Sequence, residues 1–191
     1  MSGKTKNKES TITVPVRIDR KIFQDFSVFD TLVRQRRWQR PLVFALILLF
    51  FAVLCFAQMG RREGAWLLGT VLAVVGLGLP MVYFGMFFYS VKQQAARMGL
   101  SRMKDAYRVE LGADGVCMHP AGSQDKADQA ERHAWGEVYG AWRTENALYL
   151  YVGPARAYIL PADQIPGGAD VAWKLLEKVL PAEKLHRNKR A

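Results

Sequence analysis

Histidine, cysteine and acidic side chains are the residues of this sequence whose types could do metal or acid–base chemistry. Cys117 and His119 stand two residues apart, so on a β-strand both point to the same face and could supply two metal ligands. Zinc sites usually add a second close pair, and no such pair with that spacing occurs. The pattern therefore indicates no metal and no other cofactor. The remaining candidate ligands are His133, His186, Asp125 and Asp128.

An acid–base interpretation rests on Glu131, His133 and Glu137. Alternating polar residues are expected on any half-exposed strand, so this spacing does not by itself indicate catalysis. The sequence also lacks the GxSxG, P-loop and HExxH motifs. We therefore predict that the protein is not an enzyme.

Two long stretches carry no formal charge, residues 41–59 and residues 64–90. As a helix the first would span roughly 28 Å, close to the hydrocarbon thickness of a bilayer at about 30 Å. The second would reach about 40 Å, so it must tilt, emerge or kink, with Pro80 as the expected kink site. Because only residues 60–63 separate them, the sequence predicts an integral membrane protein with an antiparallel two-span hairpin.

Basic residues flank this hairpin on its outer ends. The connecting loop has only Arg61 and Arg62, opposed by Glu63, so the positive-inside rule predicts that both termini are cytoplasmic. The same charges are expected to contact anionic lipid headgroups. They also explain the net charge of +10 without nucleic acid as a partner. The predicted lipid-contact residues are Arg34, Arg36, Arg37, Arg40, Lys92 and Arg97.

Small residues line one face of the second stretch, since Ala65, Gly69 and Ala73 recur every four positions. This spacing lets another helix approach closely. We expect the first span to occupy that face. A homo-oligomer interface, as in a small channel or pore, is the alternative. Neither stretch contains an ionisable Asp, Glu, Lys, Arg or His, which argues against a proton relay within the bilayer.

The polar parts of the chain predict a mixture of strands and helices. Residues 12–18 alternate as a strand whose Pro15 favours an edge position, and Asp19 is a plausible N-cap for an amphipathic helix that follows. That helix could lie on the membrane interface or under the cytoplasmic domain. After the hairpin, Asp114-Gly115 supplies a turn with glycine available for positive φ. Short β-rich runs follow, and a helix covers residues 169–180.

These elements define an α+β membrane protein: a two-helix transmembrane hairpin plus a small antiparallel β domain capped by a C-terminal helix. Whether the N-terminal strand joins the C-terminal sheet is left open by the sequence. The expected segments are a strand and helix at 1–40, the hairpin at 41–90, a connector at 91–104, the β domain at 105–182 and a basic tail at 183–191.

Aromatic residues in the β domain have two interpretations. Trp135 and Trp173 are expected in the core, where aromatics of small β domains usually lie. Tyr149 and Tyr151 share one strand face, with Leu148 and Leu150 on the other. One of these faces should be less buried, so the two tyrosines are a candidate docking surface.

Several motifs recur over nearly the whole chain. They are Tyr89-Ser90, Asp114-Gly115, Trp135 to Val138, Leu148 to Tyr151, Ile159-Leu160-Pro161 and the helix from Val171 to Leu180. Taken together, these motifs resemble the YcxB-like membrane proteins. The resemblance implies a C-terminal domain similar to bacterial pleckstrin-homology-like modules, a location in a bacterial inner or cytoplasmic membrane, and a family without an established activity. The sequence departs from the family pattern at Pro166-Gly167-Gly168 and in a long polar loop, residues 121–130.

The function expected from these features is a membrane-anchored, non-enzymatic binding or regulatory module at the cytoplasmic face. Its expected partners are membrane lipids with anionic headgroups, together with a protein partner or a second copy of the chain. The alternative from a different class is a small oligomeric channel or pore built from the second span.

Overall fold

The protein is described here by a computed structural model that covers residues 11–58, 60, 64–122 and 130–187. The chain divides into two compact units. The sheet unit is Met1–Ile22 together with Arg102–Ala191, and the helical unit is Phe23–Ser101. The predictions for Arg61, Arg62, Glu63, Asp125, Asp128 and residues 188–191 lie outside the described residues.

Helix α1 (Arg20–Val28) begins where the sequence predicts. The Asp19 carboxylate accepts a hydrogen bond from the backbone N–H of Ile22 at 2.8 Å, which confirms the expected N-cap. A π-helical turn, Phe29–Arg34, follows directly. Two long apolar helices complete the helical unit, α2 (Gln39–Ala57) and α3 (Ala65–Arg97).

Helices α2 and α3 pack as an antiparallel pair through two glycines of α3. A Cβ at Gly69 would lie 3.0 Å from the Phe56 ring, and one at Gly76 would lie 3.2 Å from Leu49 Cγ. The residues of α2 in contact therefore move from its C-terminal end toward its middle as the position along α3 increases, which is the pattern of an antiparallel pair. Gly69 confirms that the small-residue face meets the first apolar helix. Gly76, four residues before Pro80 in the same helix, is a second close contact.

Helix α3 ends at a glycine. Gly99 has φ of +67°, its N–H donates to the Ala96 carbonyl, and the Leu100 N–H donates to the Ala95 carbonyl, both at 3.0 Å. This pair of bonds satisfies carbonyls that the helix end would otherwise leave without partners. The helix is longer than the uncharged stretch, because residues 91–97 continue it.

The sheet unit contains two four-stranded sheets rather than the one sheet that the sequence predicts. The first has the order β1-β2-β3-β4 and the second β7-β6-β5-β8. Helix α4 follows β7. The strands are β1 (Ile12–Ile18), β2 (Lys104–Leu111), β3 (Gly115–Pro120), β4 (Glu131–Ala134), β5 (Gly140–Arg143), β6 (Ala147–Tyr151), β7 (Ala157–Pro161) and β8 (Leu185–Arg187), and α4 is Ala169–Val179.

Strand β1 joins the C-terminal strands, which answers the question that the sequence leaves open. It pairs antiparallel with β2 from Ile12, opposite Leu111, to Ile18, opposite Lys104. Val14 and Val16 are buried, and Pro15 lies at the edge of the sheet, as predicted. The two apolar helices are therefore inserted between neighbouring strands of one sheet.

The tail and one turn differ from expectation. Leu185–Arg187, assigned by sequence to the basic tail, forms β8 and pairs in parallel with β5. Gly115 does not adopt a left-handed φ. Glycine is required there for another reason, since a Cβ would collide with the backbone carbonyl oxygen of His133 on β4.

Trp135 and Trp173 are buried, at 8% and 4% exposure, which confirms their place in the core.

Side chains close two sheet edges. Tyr107 on β2 donates its O–H to the Ile159 carbonyl at 3.2 Å and accepts the Ile159 N–H at 2.8 Å. At the other edge, Gln164 accepts the Arg17 N–H at 2.7 Å and donates to the Arg17 carbonyl at 3.0 Å. Each side chain thus replaces a missing neighbouring strand and blunts an edge that would otherwise be open.

We expect Gly76→Val to weaken the packing of α2 on α3, because the added side chain must displace Leu49. Overpacking of this kind typically costs about 1–3 kcal/mol. The measurement is unfolding in mixed micelles of increasing SDS content, followed by circular dichroism. Gly78→Val is the matched control, since a Cβ at Gly78 meets nothing within 4 Å. Equal losses in the two variants would contradict the packing role of Gly76.

We expect Tyr107→Phe to destabilise the sheet unit, because it leaves the N–H and carbonyl of Ile159 without their partner. Loss of a partner for buried polar groups costs about 1–3 kcal/mol. Chemical unfolding of the full chain in detergent, monitored by tryptophan fluorescence, measures the change. Tyr139→Phe, at a 52% exposed tyrosine, serves as the control and should have little effect. A Tyr107→Phe variant as stable as the control would refute the edge-closing role.

Candidate functional site

The helical unit carries a group of exposed basic residues close to the ends of its two long helices. Arg36 and Arg37 precede α2, Arg40 lies in its first turn, and Lys92 and Arg97 lie in the last two turns of α3. All five are exposed. Because α2 and α3 are antiparallel, these positions fall at the same end of the hairpin. We call these five residues the basic collar.

Arg34, the sixth predicted lipid-contact residue, differs from the others. Its Nε donates to the Asp30 carboxylate at 2.7 Å, and its side chain is only 12% exposed. This pair joins residues four apart in the π-helical turn. Arg34 is therefore committed to an internal ion pair. The sequence missed this because positive-inside counting ignores local acidic partners.

Arg36 adopts an unusual backbone conformation for a residue with a side chain. Its φ of +48° lies in the left-handed region. The turn is closed by hydrogen bonds from Arg37 N–H to the Thr31 carbonyl and from Gln39 N–H to the Arg36 carbonyl, both at 3.1 Å. Left-handed φ costs a non-glycine residue about 1 kcal/mol.

The docking surface predicted at Tyr149 and Tyr151 is wrong as an exposed surface. The two side chains are 2% and 1% exposed, and all five residues of β6 are buried. Tyr151 also meets the Trp142 ring edge-on, with centroids 4.8 Å apart. Period-two alternation implies one open face, whereas this strand is covered on both.

The outer face of the first sheet carries a polar cluster. Cys117 Sγ lies 3.3 Å from His119 Nε2, and the same nitrogen lies 3.7 Å from the Glu110 carboxylate. Glu110 stands directly opposite Cys117, and Arg108 directly opposite His119. Arg132 on β4 faces Cys117 from the other side. The pairing of β2, β3 and β4 therefore gathers residues that the sequence separates.

Two open grooves run over this face. One of about 820 Å³ includes Glu110, Cys117, His119 and Arg132, and one of about 400 Å³ includes Arg108 and His119. Within the described residues, no three His, Cys, Asp or Glu side chains are arranged to hold a metal ion. The larger groove, which we call the polar groove, is lined by charged residues such as Glu110 and Arg132 together with apolar ones such as Val116.

A second polar group lies where β4 approaches β7. Arg156 donates to the Glu131 carboxylate, and the Tyr158 O–H donates to the same carboxylate at 3.1 Å. The hydrogen bond from Arg156 lowers the pKa of Glu131. Burial raises the pKa of Tyr158 to about 12, with the Glu131 hydrogen bond as the next cause. His133 Nε2 is buried here without a hydrogen-bond partner in the described structure.

The candidate acid–base residues are thus brought only partly together. Glu131 is held in an ion pair, which satisfies its charge. Glu137 lies 3.9 Å from His133 Nδ1, beyond a direct hydrogen bond. Tyr107, whose pKa burial raises, is tied to the backbone of β7. These contacts hold the two sheets together at this edge.

We expect Arg156→Gln to remove a pH-dependent part of the stability. The Glu131 pKa in the folded protein lies below its usual value of 4.5, so its contribution is present above that pH and is lost as the pH falls through the folded pKa. The wild type should exceed the variant in unfolding free energy near neutral pH, and the difference should shrink below about pH 4. Denaturant unfolding at several pH values tests this. A difference that does not depend on pH would contradict it.

Several of these features leave no signal in the sequence. The cluster around His119 depends on strand register, which a single sequence does not specify. Strand β8 has three residues, too few to show a period. Of these features, the basic collar is the one that the sequence does predict, because charged residues next to an apolar stretch are visible without a structure.

Comparison with known families gives one match. The family model described as YcxB-like protein matches residues 125–176. The described part of this range, residues 130–176, runs from the residue before β4 into α4. This confirms the resemblance to that family over the matched residues. No curated protein matches the chain, and no solved structure matches it.

Proposed function

We propose that the protein is a membrane-anchored, non-enzymatic binding module whose sheet unit is held at the cytoplasmic face by a transmembrane hairpin of α2 and α3. The observation that supports this proposal most directly is the pairing of Ile18 with Lys104. The chain leaves the sheet unit after β1 and returns as the neighbouring strand β2, so both flanks of the hairpin belong on one side of the membrane. An anchor joined in this way is connected to the sheet unit at both of its ends.

The surfaces of α2 and α3 support a bilayer location. In the most apolar part of each helix only 11% and 6% of residues are buried. Phe50, Val74 and Met81 are 61%, 65% and 76% exposed. Soluble proteins rarely expose an apolar patch larger than a few hundred Å². Lipid is the solvent that suits this surface.

Helix lengths fit the same location. Nineteen residues of α2 span about 28 Å, near the hydrocarbon thickness of about 30 Å. The thirty-three residues of α3 span about 50 Å, so one end extends beyond the hydrocarbon. That end carries Lys92 and Arg97 of the basic collar. Trp66 near the opposite end of α3 is 56% exposed, as expected of an interfacial aromatic anchor.

The collar supports the orientation. Cytoplasmic flanks of membrane helices are enriched in Lys and Arg, and the five collar residues share one end of the hairpin. Near an anionic leaflet each such charge contributes about 1 kcal/mol of attraction. The collar thus favours a cytoplasmic sheet unit in contact with anionic headgroups.

The strand order supports a pleckstrin-homology-like assignment for the sheet unit. A four-stranded antiparallel meander, β1 to β4, precedes three antiparallel strands, β5 to β7, and the amphipathic helix α4. We propose that this is the module implied by the family resemblance, with its first strand placed before the hairpin. The polar groove on the first sheet is its candidate ligand surface.

The pore interpretation loses part of its motivation. It rested on the small-residue face of the second span as an interface between copies of the chain, and on the glycines around Pro80. Gly69 and Gly76 instead meet Phe56 and Leu49 of the same chain. The face is therefore used within the hairpin, and the anchor function is the better-supported proposal.

Cysteine labelling in bacterial cells tests the topology. In a background with Cys55→Ala and Cys117→Ser, Glu145→Cys places a thiol in an exposed turn of the sheet unit, and Gly60→Cys places one in the turn after α2. An impermeant maleimide should label the Gly60→Cys protein in intact spheroplasts and the Glu145→Cys protein only in inside-out vesicles. Labelling of Glu145→Cys protein in intact spheroplasts would overturn the proposed orientation.

Neutralising the collar tests its role in that orientation. Replacing Arg36, Arg37, Arg40, Lys92 and Arg97 by glutamine should lower the cytoplasmic fraction of the Glu145→Cys protein, because the charge asymmetry across the hairpin is lost. A matched variant with glutamine at five exposed basic positions of the sheet unit should keep the wild-type fraction. If both variants have the same cytoplasmic fraction, the collar does not set the orientation of the hairpin.

A further inference from the structure

Three rings stack on one face of the second sheet. Trp142 lies at the centre, with the His186 ring 4.5 Å away at an interplanar angle of 27°. The Tyr139 ring lies on the indole at 6.3 Å and 15°. We call Tyr139, Trp142 and His186 the aromatic stack. Neither the anchor function nor the polar groove uses it.

The stack is built by the parallel pairing of β8 with β5. This register sets His186 directly opposite Trp142. Gly140 makes room for the indole, since a Cβ there would lie 2.8 Å from the Trp142 ring and 3.1 Å from the Lys184 carbonyl oxygen. The ring therefore lies over the strand backbone, and only glycine fits beneath it.

Lys184 fastens the two segments that carry the outer rings. Its ammonium donates to the Val138 carbonyl at 2.7 Å and to the Gly136 carbonyl at 3.1 Å. The loop before Tyr139 is thereby tied to the segment before His186. The rings are held in place before any partner arrives, which reduces the entropy cost of binding.

The outer rings of the stack are exposed and border basic residues, whereas the central Trp142 is half-buried. Tyr139 is 52% exposed, and His186 and Arg187 are exposed as well. In the described segment 183–187, Lys184 and Arg187 stand against one acid, Glu183. Asp170, which feels the charge of Arg187, is already paired with Arg143 at 2.7 Å. The charge around the stack is thus mainly positive.

We propose that the aromatic stack and Arg187 form a second membrane contact, which lays this face of the sheet unit on an anionic leaflet. Tyr and Trp combine an apolar ring with a polar edge and are enriched at the membrane–water interface. Arginine matches phosphate oxygens in bidentate geometry. The positive charge selects an anionic bilayer over a neutral partner surface. The inference rests on the proposed anchor function, which keeps the stack near lipid at high effective concentration.

Quenching by brominated lipid tests the contact in the full chain. The protein is reconstituted in nanodiscs of phosphatidylcholine with or without brominated phosphatidylglycerol, and Trp142 emission is isolated as the difference between wild type and Trp142→Phe. We expect this component to be quenched at least twofold more than the Trp173 component, isolated in the same way with Trp173→Phe. Trp173 is a suitable control because it is 4% exposed within α4.

Surface variants keep the test decisive if Trp142→Phe disturbs folding. Arg187→Glu and Tyr139→Ser alter exposed side chains and should each lower the quenching of the wild-type indoles by anionic brominated lipid. Lys174→Glu, on the exposed side of α4, is the charge-matched control and should not. Equal quenching by brominated phosphatidylcholine, unaffected by Arg187→Glu, would overturn the role of anionic charge.

The outcomes separate this inference from the anchor proposal. If Trp66 is quenched by lipid brominated in its acyl chains while Trp142 is not, the hairpin is inserted and only the second contact is wrong. If cross-linking of the same sample then captures a second copy through the stack, self-association replaces lipid as its role. If neither tryptophan is quenched, the anchor proposal fails as well.

Discussion

Strand β1 pairs with β2 along its whole length, although residues 19–103 lie between them in the chain. Closing a loop that long carries an entropy cost, which grows slowly with length and is reduced when the loop is itself ordered. The antiparallel packing of α2 on α3 supplies that order, because it returns the chain to the end from which it set out. The buried valines of β1 and the edge closure by Gln164 then hold the pairing. The completeness of the sheet unit depends on this single strand.

The sequence predicted the elements better than their arrangement. Helices α2 and α3, strands β1 to β7, the Asp19 cap and the buried tryptophans all follow from local signals: uncharged length, alternation, a capping residue and aromatic content. The assembly into two sheets does not, because register is set by side chains distant in the chain. Tyr107 shows why. Its side chain makes the hydrogen bonds that a neighbouring strand would make to β7, and this role can be inferred only when β7 is known to be an edge strand.

The candidate site was predictable only where it rests on charge. The basic collar follows from five charges next to apolar stretches. The ion pair of Arg34 with Asp30 does not follow in this way, because counting basic residues near an apolar stretch ignores acidic partners within the same turn. Tyr149 and Tyr151 were misjudged because alternation does not show whether a second layer covers the outer face. The aromatic stack joins residues 139, 142 and 186 through a parallel pairing of three residues, which carries no sequence signature.

The position of β1 before the apolar helices has a consequence for biosynthesis. The ribosome makes β1 first, then both helices, and only then β2, so β1 has no partner strand while the helices are being made. Its valines and open backbone edge must stay protected throughout that interval. A fragment that starts after the helices lacks this strand altogether and leaves Val109 and Leu111 without the neighbours that cover them. The sheet unit of this protein is therefore completed only after its two long apolar helices have been synthesised.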